Sequence, residues 1–137
     1  MSLKSKIKLL DNVFSQFIRL SQTDNNGYGK CISCNKIKSY SDLDCGHYVN
    51  RKHMSLRYSE INSNIQCISC NRFDEGNSIG YTLGLTKKYG TGIIDKLIIS
   101  KYSQNKFTEF ELIELIRHYR KLNKKLLTEK NFTIKLY

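Results

Sequence analysis

Apolar positions recur at helical spacing towards both ends of the chain and lose that period in the middle. Ile7, Leu10, Phe14, Phe17 and Ile18 follow three- and four-residue steps, which predicts a helix over 4–20 with one apolar face. The breaker-rich stretch 21–29 reads as a loop. Residues 30–77 fall into short pieces punctuated by Gly, Asn and Ser, with no long periodic run. Helical spacing returns over roughly 78–88, breaks at Gly90-Thr91-Gly92, and resumes over roughly 92–102. The last helix has the clearest start: Thr108 with Glu111 three residues later fits a capping box. Phe110, Ile113, Ile116, Tyr119 and Leu122 predict its buried stripe. Its acids (Glu109, Glu111, Glu114) lie early and its bases late, as the helix dipole favours. Residues 131–137 alternate and fit either a short strand or an extended tail.

These elements suit one domain over 1–137, since the length is near the commonest domain size. It divides into an N-terminal helix and loop (1–29), a cysteine-bearing core (30–77), and C-terminal helices with a tail (78–137). Hydrophobic content is 39%, with 9 Tyr and 6 Phe, sufficient for a core. No apolar run approaches the roughly 18 residues of a membrane span. Asp11, Asn12 and Gln16 interrupt any signal-peptide core, so a cytosolic chain is expected.

Charge narrows the partners. The chain carries 23 basic and 12 acidic residues, a net +11, which favours polyanions because Lys and Arg release counterions from phosphates. A solvated surface explains the same excess. Seven bases lie from Arg117 to the end against Glu129 alone, and Arg51, Lys52 and Arg57 form a smaller group.

Cys31-Ile-Ser-Cys34 and Cys67-Ile-Ser-Cys70 are two C-x-x-C pairs with identical interiors. Two such turns can supply four thiolates to one tetrahedral Zn²⁺, a closed and therefore structural site. Disulfides compete, but a reducing compartment disfavours them. A plain ribbon separates its pairs by about 15–20 residues. Here 32 residues intervene, so something is placed between the knuckles. Cys45 has no C-x-x-C partner and reads as a small apolar residue.

The insert holds Asp44, His47, Arg51, His53, Arg57 and Asn64, and Asn71 directly follows Cys70. Imidazole titrates near neutrality, so His47 suits a general base for water. Carboxylate and amide oxygens suit hard Mg²⁺ or Mn²⁺, which Asp44 and Asn71 would share once zinc draws the knuckles together. Each residue also has a plain reading: a lone His is usually packed, Asn beside a knuckle often caps a helix, and Arg51 and Arg57 suit ordinary surface charge. His53 and His118 take that plain reading.

The array Cys-x-x-Cys, Asp-x-x-His, Asn-x-x-Cys-x-x-Cys-Asn resembles an HNH (ββα-metal) nuclease motif set in a Cys₄ zinc site. The strings DCGHYVNR at 44–51, LRY at 56–58, NIQCISCNR at 64–72, GNSIGY at 76–81 and GLTKKYG at 84–90 resemble the phage NinG/Rap recombination family. That resemblance covers about residues 30–90 and is similar in arrangement to endonuclease VII-type resolvases. It implies an α+β fold: a small ββα-metal (His-Me finger) core with a Cys₄ zinc site, flanked by several helices. It also implies a structure-specific endodeoxyribonuclease hydrolysing phosphodiesters of D-loops and Holliday junctions, leaving 5′-phosphate and 3′-hydroxyl ends. By position His47 matches the base, Asn64 the asparagine that orients the base-bearing loop, and Asn71 the last metal ligand. Gly46 stands where many HNH motifs carry the metal-binding acid, and Asp44 lies three residues before His47.

The expected cofactors are thus structural Zn²⁺ on Cys31, Cys34, Cys67 and Cys70, and Mg²⁺ or Mn²⁺ on Asp44 and Asn71. Arg51, Arg57 and Arg72 are expected to position DNA phosphates. Expected partners are branched double-stranded DNA, phage recombination proteins and, on a symmetric junction, a second copy of the chain. The setting would be the cytoplasm of a bacterial host, with a phage or prophage gene. A noncatalytic zinc-stabilised module binding DNA or a recombination partner is the alternative, and a zinc-stabilised interaction domain with incidental charge is a third.

Overall fold

The computed structural model describes residues 1–103 and 106–137. Helix α1 (Leu3–Ser21) starts where the Ser2 hydroxyl accepts from the Ser5 amide at 3.1 Å, an N-cap. Its apolar face, with Leu10, Val13, Phe14, Phe17 and Ile18, packs along the last helix, α5 (Glu109–Thr128). The Phe14 ring meets Tyr58 and Tyr119 edge-on, with centroids 5.7 and 5.1 Å away. Both arms of the Thr108–Glu111 capping box are formed.

The buried row of α5 differs from the predicted stripe. Leu112, Ile116, Tyr119 and Asn123 are buried, whereas Phe110 is 71% exposed and Ile113 lies on the solvent side. The row runs through Leu112 instead of Phe110 and Ile113, and it seats Asn123, a polar position outside an apolar pattern, in the seam. Its Nδ2 donates to the Val13 carbonyl of α1 at 3.0 Å. Ile116 and Tyr119 belong to both rows, and Leu122 of the predicted stripe is partly buried against the same core.

Between these helices lie two short antiparallel pairs. Strand β1 (Tyr28–Lys30) pairs with β2 (Ile37–Ser39), leading through a 3₁₀ turn (Tyr40–Asp42) into β3 (Leu43–His47). β3 pairs with β4 (Ser63–Cys67), with Leu43 opposite Cys67 and His47 opposite Ser63. A one-turn helix, α2 (Met54–Arg57), sits in the β3–β4 connection, and a five-residue π-helix (Ser69–Phe73) follows β4.

Every residue of β4 is buried although three are polar, so each needs internal partners. Gln66 donates to the Ser33 hydroxyl and the Gly76 carbonyl, both at 2.8 Å. The Ile65 amide donates to Oε1 of Gln22, the residue capping the end of α1, and its carbonyl accepts from the Ile32 amide, each at 3.0 Å.

Helices α3 (Ser78–Tyr89) and α4 (Ile93–Lys101) close the other side, and Tyr81, Leu85, Ile93 and Leu97 form a second core with Val49 and Leu56. α3 lies directly on the first knuckle. A Cβ on Gly80 would stand 2.2 Å from the Ser33 carbonyl oxygen, and one on Gly84 2.1 Å from that of Ile32. The tail forms no strand: Gln16 Nε2 donates to the Lys135 carbonyl and Gln16 Oε1 accepts from the Tyr137 amide. The result is a mixed α+β protein. Among the described residues no helix is long and apolar enough to cross a membrane.

Candidate active site and metal centre

The turn after β1 carries Cys31 and Cys34, and the end of β4 with the π-helix carries Cys67 and Cys70. Their four sulfurs all lie within 4.8 Å of one another, and Cys34 Sγ is 3.7 Å from Cys67 Sγ. Tetrahedral zinc with Zn–S near 2.3 Å requires sulfurs about 3.8 Å apart, so the cluster can hold a zinc ion. All five cysteines are free, and the 3.7 Å separation is far beyond a disulfide bond of about 2.05 Å. The Asn77 side chain donates to Cys70 Sγ at 3.4 Å, and the Cys70 amide to Cys67 Sγ at 3.5 Å.

Beside the cluster a polar pocket of about 460 Å³ is lined by residues of α1, β3, the loop beyond it, α2 and the π-helix. Asp44, His47, Asn71, Arg51, Arg57 and Arg72 all border it. His47 Nε2 stands 2.8 Å from the carbonyl oxygen of Arg57. A carbonyl only accepts, so Nε2 carries the proton and Nδ1 the lone pair. Burial lowers the imidazole pKa below its usual value, against the opposing pull of that carbonyl, which keeps the ring neutral at pH 7.

Asp44 is shared. Asn71 Nδ2 donates to its Oδ2 at 3.0 Å, and Arg72 donates from Nε to Oδ2 at 2.9 Å and from Nη2 to Oδ1 at 2.8 Å. Partial burial would raise the carboxyl, but Arg72 and then Asn71 hold it below the ordinary aspartate value. Asp44 is therefore ionised, with an oxygen-bearing amide neighbour drawn in by the Cys67–Cys70 turn. Cys45 packs partly against the main core, and burial pushes its thiol up to about 12, which agrees with the apolar reading.

The three arginines expected on phosphates are placed differently from one another. Arg51 is 61% exposed, with Nη1 3.9 Å from Asp11 Oδ2. Arg57 is turned inward, donating from Nε and Nη2 to both oxygens of Asp11, at 2.8 and 2.6 Å. Arg72 lies on Asp44. His53 and His118 lie outside the pocket, His118 exposed beside the Tyr119 ring.

Asn64 is also displaced from its expected task. Its side chain is fully buried away from the pocket, donating towards Tyr81 Oη at 3.3 Å and accepting from Lys88 Nζ at 2.7 Å. The asparagine that clamps the loop after His47 is Asn62: its Oδ1 accepts from the Val49 amide, and its Nδ2 donates to the Val49 and Leu56 carbonyls. Asn62 stands just before β4, where its side chain reaches back across that loop. Asn64 lies inside the strand, opposite Gly46. Asp11 also joins the site without a sequence signal, and Tyr58, of the family-like string 56–58, reaches Asp11 through its hydroxyl at 3.0 Å. An isolated acid on an amphipathic helix carries no local mark, though its place two residues from the apolar Leu9 and Val13 sets it at the margin of the buried face.

Away from the pocket, Lys6, Arg117, Arg120, Lys121 and Lys124 border a separate cavity of about 760 Å³ between α1, α5 and the tail. Fold and site together define a small basic α+β protein whose four-cysteine cluster ties two turns to one strand pair. The family model described as Bacteriophage Lambda NinG protein matches residues 2–129, and the chain belongs to this NinG family. It is 30% identical over 121 residues to protein ninG of Salmonella phage P22, covering 88% of this chain and 57% of that protein. It is 31% identical over 103 residues to protein ninG of Escherichia phage lambda, covering 74% and 48%. The chain thus spans about half the length of the curated relatives it matches. No solved structure matches it.

Proposed function

We propose that the chain is a metal-dependent endodeoxyribonuclease of the HNH type that cuts branched recombination intermediates by phosphodiester hydrolysis. What supports this most is the seating of His47. The Arg57 carbonyl fixes the proton on Nε2, and the neutral ring presents the Nδ1 lone pair as a proton acceptor in a pocket that also holds an ionised carboxylate. The order β3, β4 and a helical turn bearing Asn71 is compatible with a ββα-metal core.

His47 would take a proton from water at Nδ1, and exposed Arg51 would hold a phosphate near it. Asp44 and Asn71 would hold Mg²⁺ or Mn²⁺; carboxylate and amide oxygens suit either ion. When bound, the cation offsets charge building on the phosphate and on the leaving 3′-oxygen. Zinc at the cysteines would keep Asn71 beside Asp44. Branched duplex DNA, a two-fold dimer on a symmetric four-way junction, and phage recombination proteins remain the proposed partners.

A labelled panel of linear, forked, D-loop and four-way DNAs, incubated with Mg²⁺ or with chelator, tests this. Metal-dependent cuts in branched DNA with 5′-phosphate ends are expected. No cutting with any divalent metal would leave a noncatalytic zinc-stabilised DNA-binding module. One contact favours that second reading: Arg72 occupies both oxygens of Asp44.

A further inference from the structure

We infer that Asp11, on α1, is a positioning residue for His47: it holds the side chains of Arg57 and Tyr58, and so fixes the Arg57 carbonyl that selects the imidazole tautomer. This rests on the reading of His47 as the base.

Three donors converge on the Asp11 carboxylate. Arg57 Nε reaches Oδ1 at 2.8 Å, Arg57 Nη2 reaches Oδ2 at 2.6 Å, and the Tyr58 hydroxyl reaches Oδ1 at 3.0 Å. Both carboxylate oxygens are engaged by the segment that follows His53, so Asp11 is set up as an anchor for it. The geometry is a bidentate guanidinium fork, the form that adds directional constraint to charge. The Asp11 side chain is 18% exposed and that of Arg57 17%, so solvent screens the pair only partly.

The anchored segment needs such a tether. α2 is a single turn of four residues, far below the length at which a helix holds its own shape, and Arg57 is its last residue. Its neighbour Leu56 is tied by Asn62, at 3.2 Å to the Leu56 carbonyl. The Arg57 carbonyl has His47 Nε2 as its partner at 2.8 Å, so its direction depends on where the Arg57 side chain is pulled. Asp11 pulls that side chain, and the adjacent Tyr58, towards α1. The link thus runs from a helix outside the cysteine core to the proton position on His47, 36 residues later in the chain.

A consequence is that Arg57, turned inward onto Asp11, acts on the reaction through the imidazole and not through DNA. Loosening the pair would slow the chemical step; because Asp11 Oδ2 also lies 3.9 Å from the Arg51 guanidinium, DNA affinity in Asp11→Asn does not report on this link.

Long-range ¹H–¹⁵N spectra of the His47 ring in the full zinc-loaded chain read the tautomer directly, without reference to activity. In wild type a single Nε2–H form is expected at pH 7.5. In Asp11→Asn the Nδ1–H form should appear as a second population, and Asp11→Glu should return most of the ring to the Nε2–H form. Single-turnover cleavage of a four-way junction at saturating protein should fall about 10- to 100-fold in Asp11→Asn. If Asp11→Asn does not fold, Tyr58→Phe and Arg57→Lys, which weaken the same anchor less, go through the same measurement. An unchanged Nε2–H ring in the folded variants overturns the inference, even where cleavage falls. A ring that shifts in a protein whose wild type cuts no DNA upholds the Asp11 link and overturns the nuclease reading instead.

Discussion

The four-cysteine cluster and the Asp44–His47 pocket adjoin one strand pair, the cluster at the end of β4 and the pocket on β3, but they are assembled from different kinds of contact. The cluster takes four like ligands from two short turns, and three of the four are buried. The pocket takes single residues from α1, β3, α2 and the π-helix, joined by charge-assisted hydrogen bonds near solvent. A metal supplies enough binding energy to fold its own surroundings. A pocket of unlike single residues has no such source and relies on the scaffold to keep them in place. The two regions should therefore respond oppositely to substitution: one in stability, the other in chemistry.

The largest break is expected from Cys67→Ser. Losing one ligand should release zinc and unfold the central region, seen as absent metal by elemental analysis and as loss of cooperative melting. DNA binding and cleavage should disappear together. His47→Ala should separate them: cleavage falls by about 10²–10⁴-fold in single turnover, while zinc content and junction affinity stay near wild type. Wild-type cutting by this variant would remove the pocket's side of the contrast.

A subtler break is Gly84→Ala, which forces a methyl group against the Ile32 carbonyl on the first knuckle. It should destabilise by about 1–3 kcal/mol in urea titrations without changing the order of DNA preference. The smallest effect is on the pH dependence of stability. Burial lowers the His47 pKa in the folded state, so the folded chain binds fewer protons than the unfolded one in mildly acidic solution. The stability it contributes is present above the unfolded value of about 6.5 and is lost as pH falls through the folded value. Urea titrations at pH 7.5 and 5.5 should show a smaller loss in His47→Gln than in wild type.

The contrast extends to what the residues reveal before folding. Helices α1 and α5 are legible because their apolar residues repeat, and the cysteines because a doubled C-x-x-C suits little besides a metal site. The seating of Asn123 in the seam is not legible, since its side chain reaches a carbonyl of another helix and no local pattern records that. Strands of three to five residues, one of them wholly buried yet rich in amides, carry no clean alternation. Within the pocket, chemistry and spacing single out His47, Asp44 and Asn71, and all three border it. Asn62 and Asn64 lie two positions apart, and only the folded loop shows that the clamp is Asn62. Asp11 is invisible in the sequence because its partners lie 46 and 47 positions away.

β4 has a strand neighbour on one flank, β3. A bare second flank is a template on which another chain can add a strand and begin to aggregate. Here the polar groups of Ile65 on that flank are taken by the Gln22 side chain and by Ile32 of the first knuckle. The plug is therefore half helix cap and half the cysteine-bearing turn. Stripping zinc would loosen Ile32 and unseal an amide-rich segment, Asn64–Ser69, so metal loss in this protein should favour precipitation over clean, reversible unfolding.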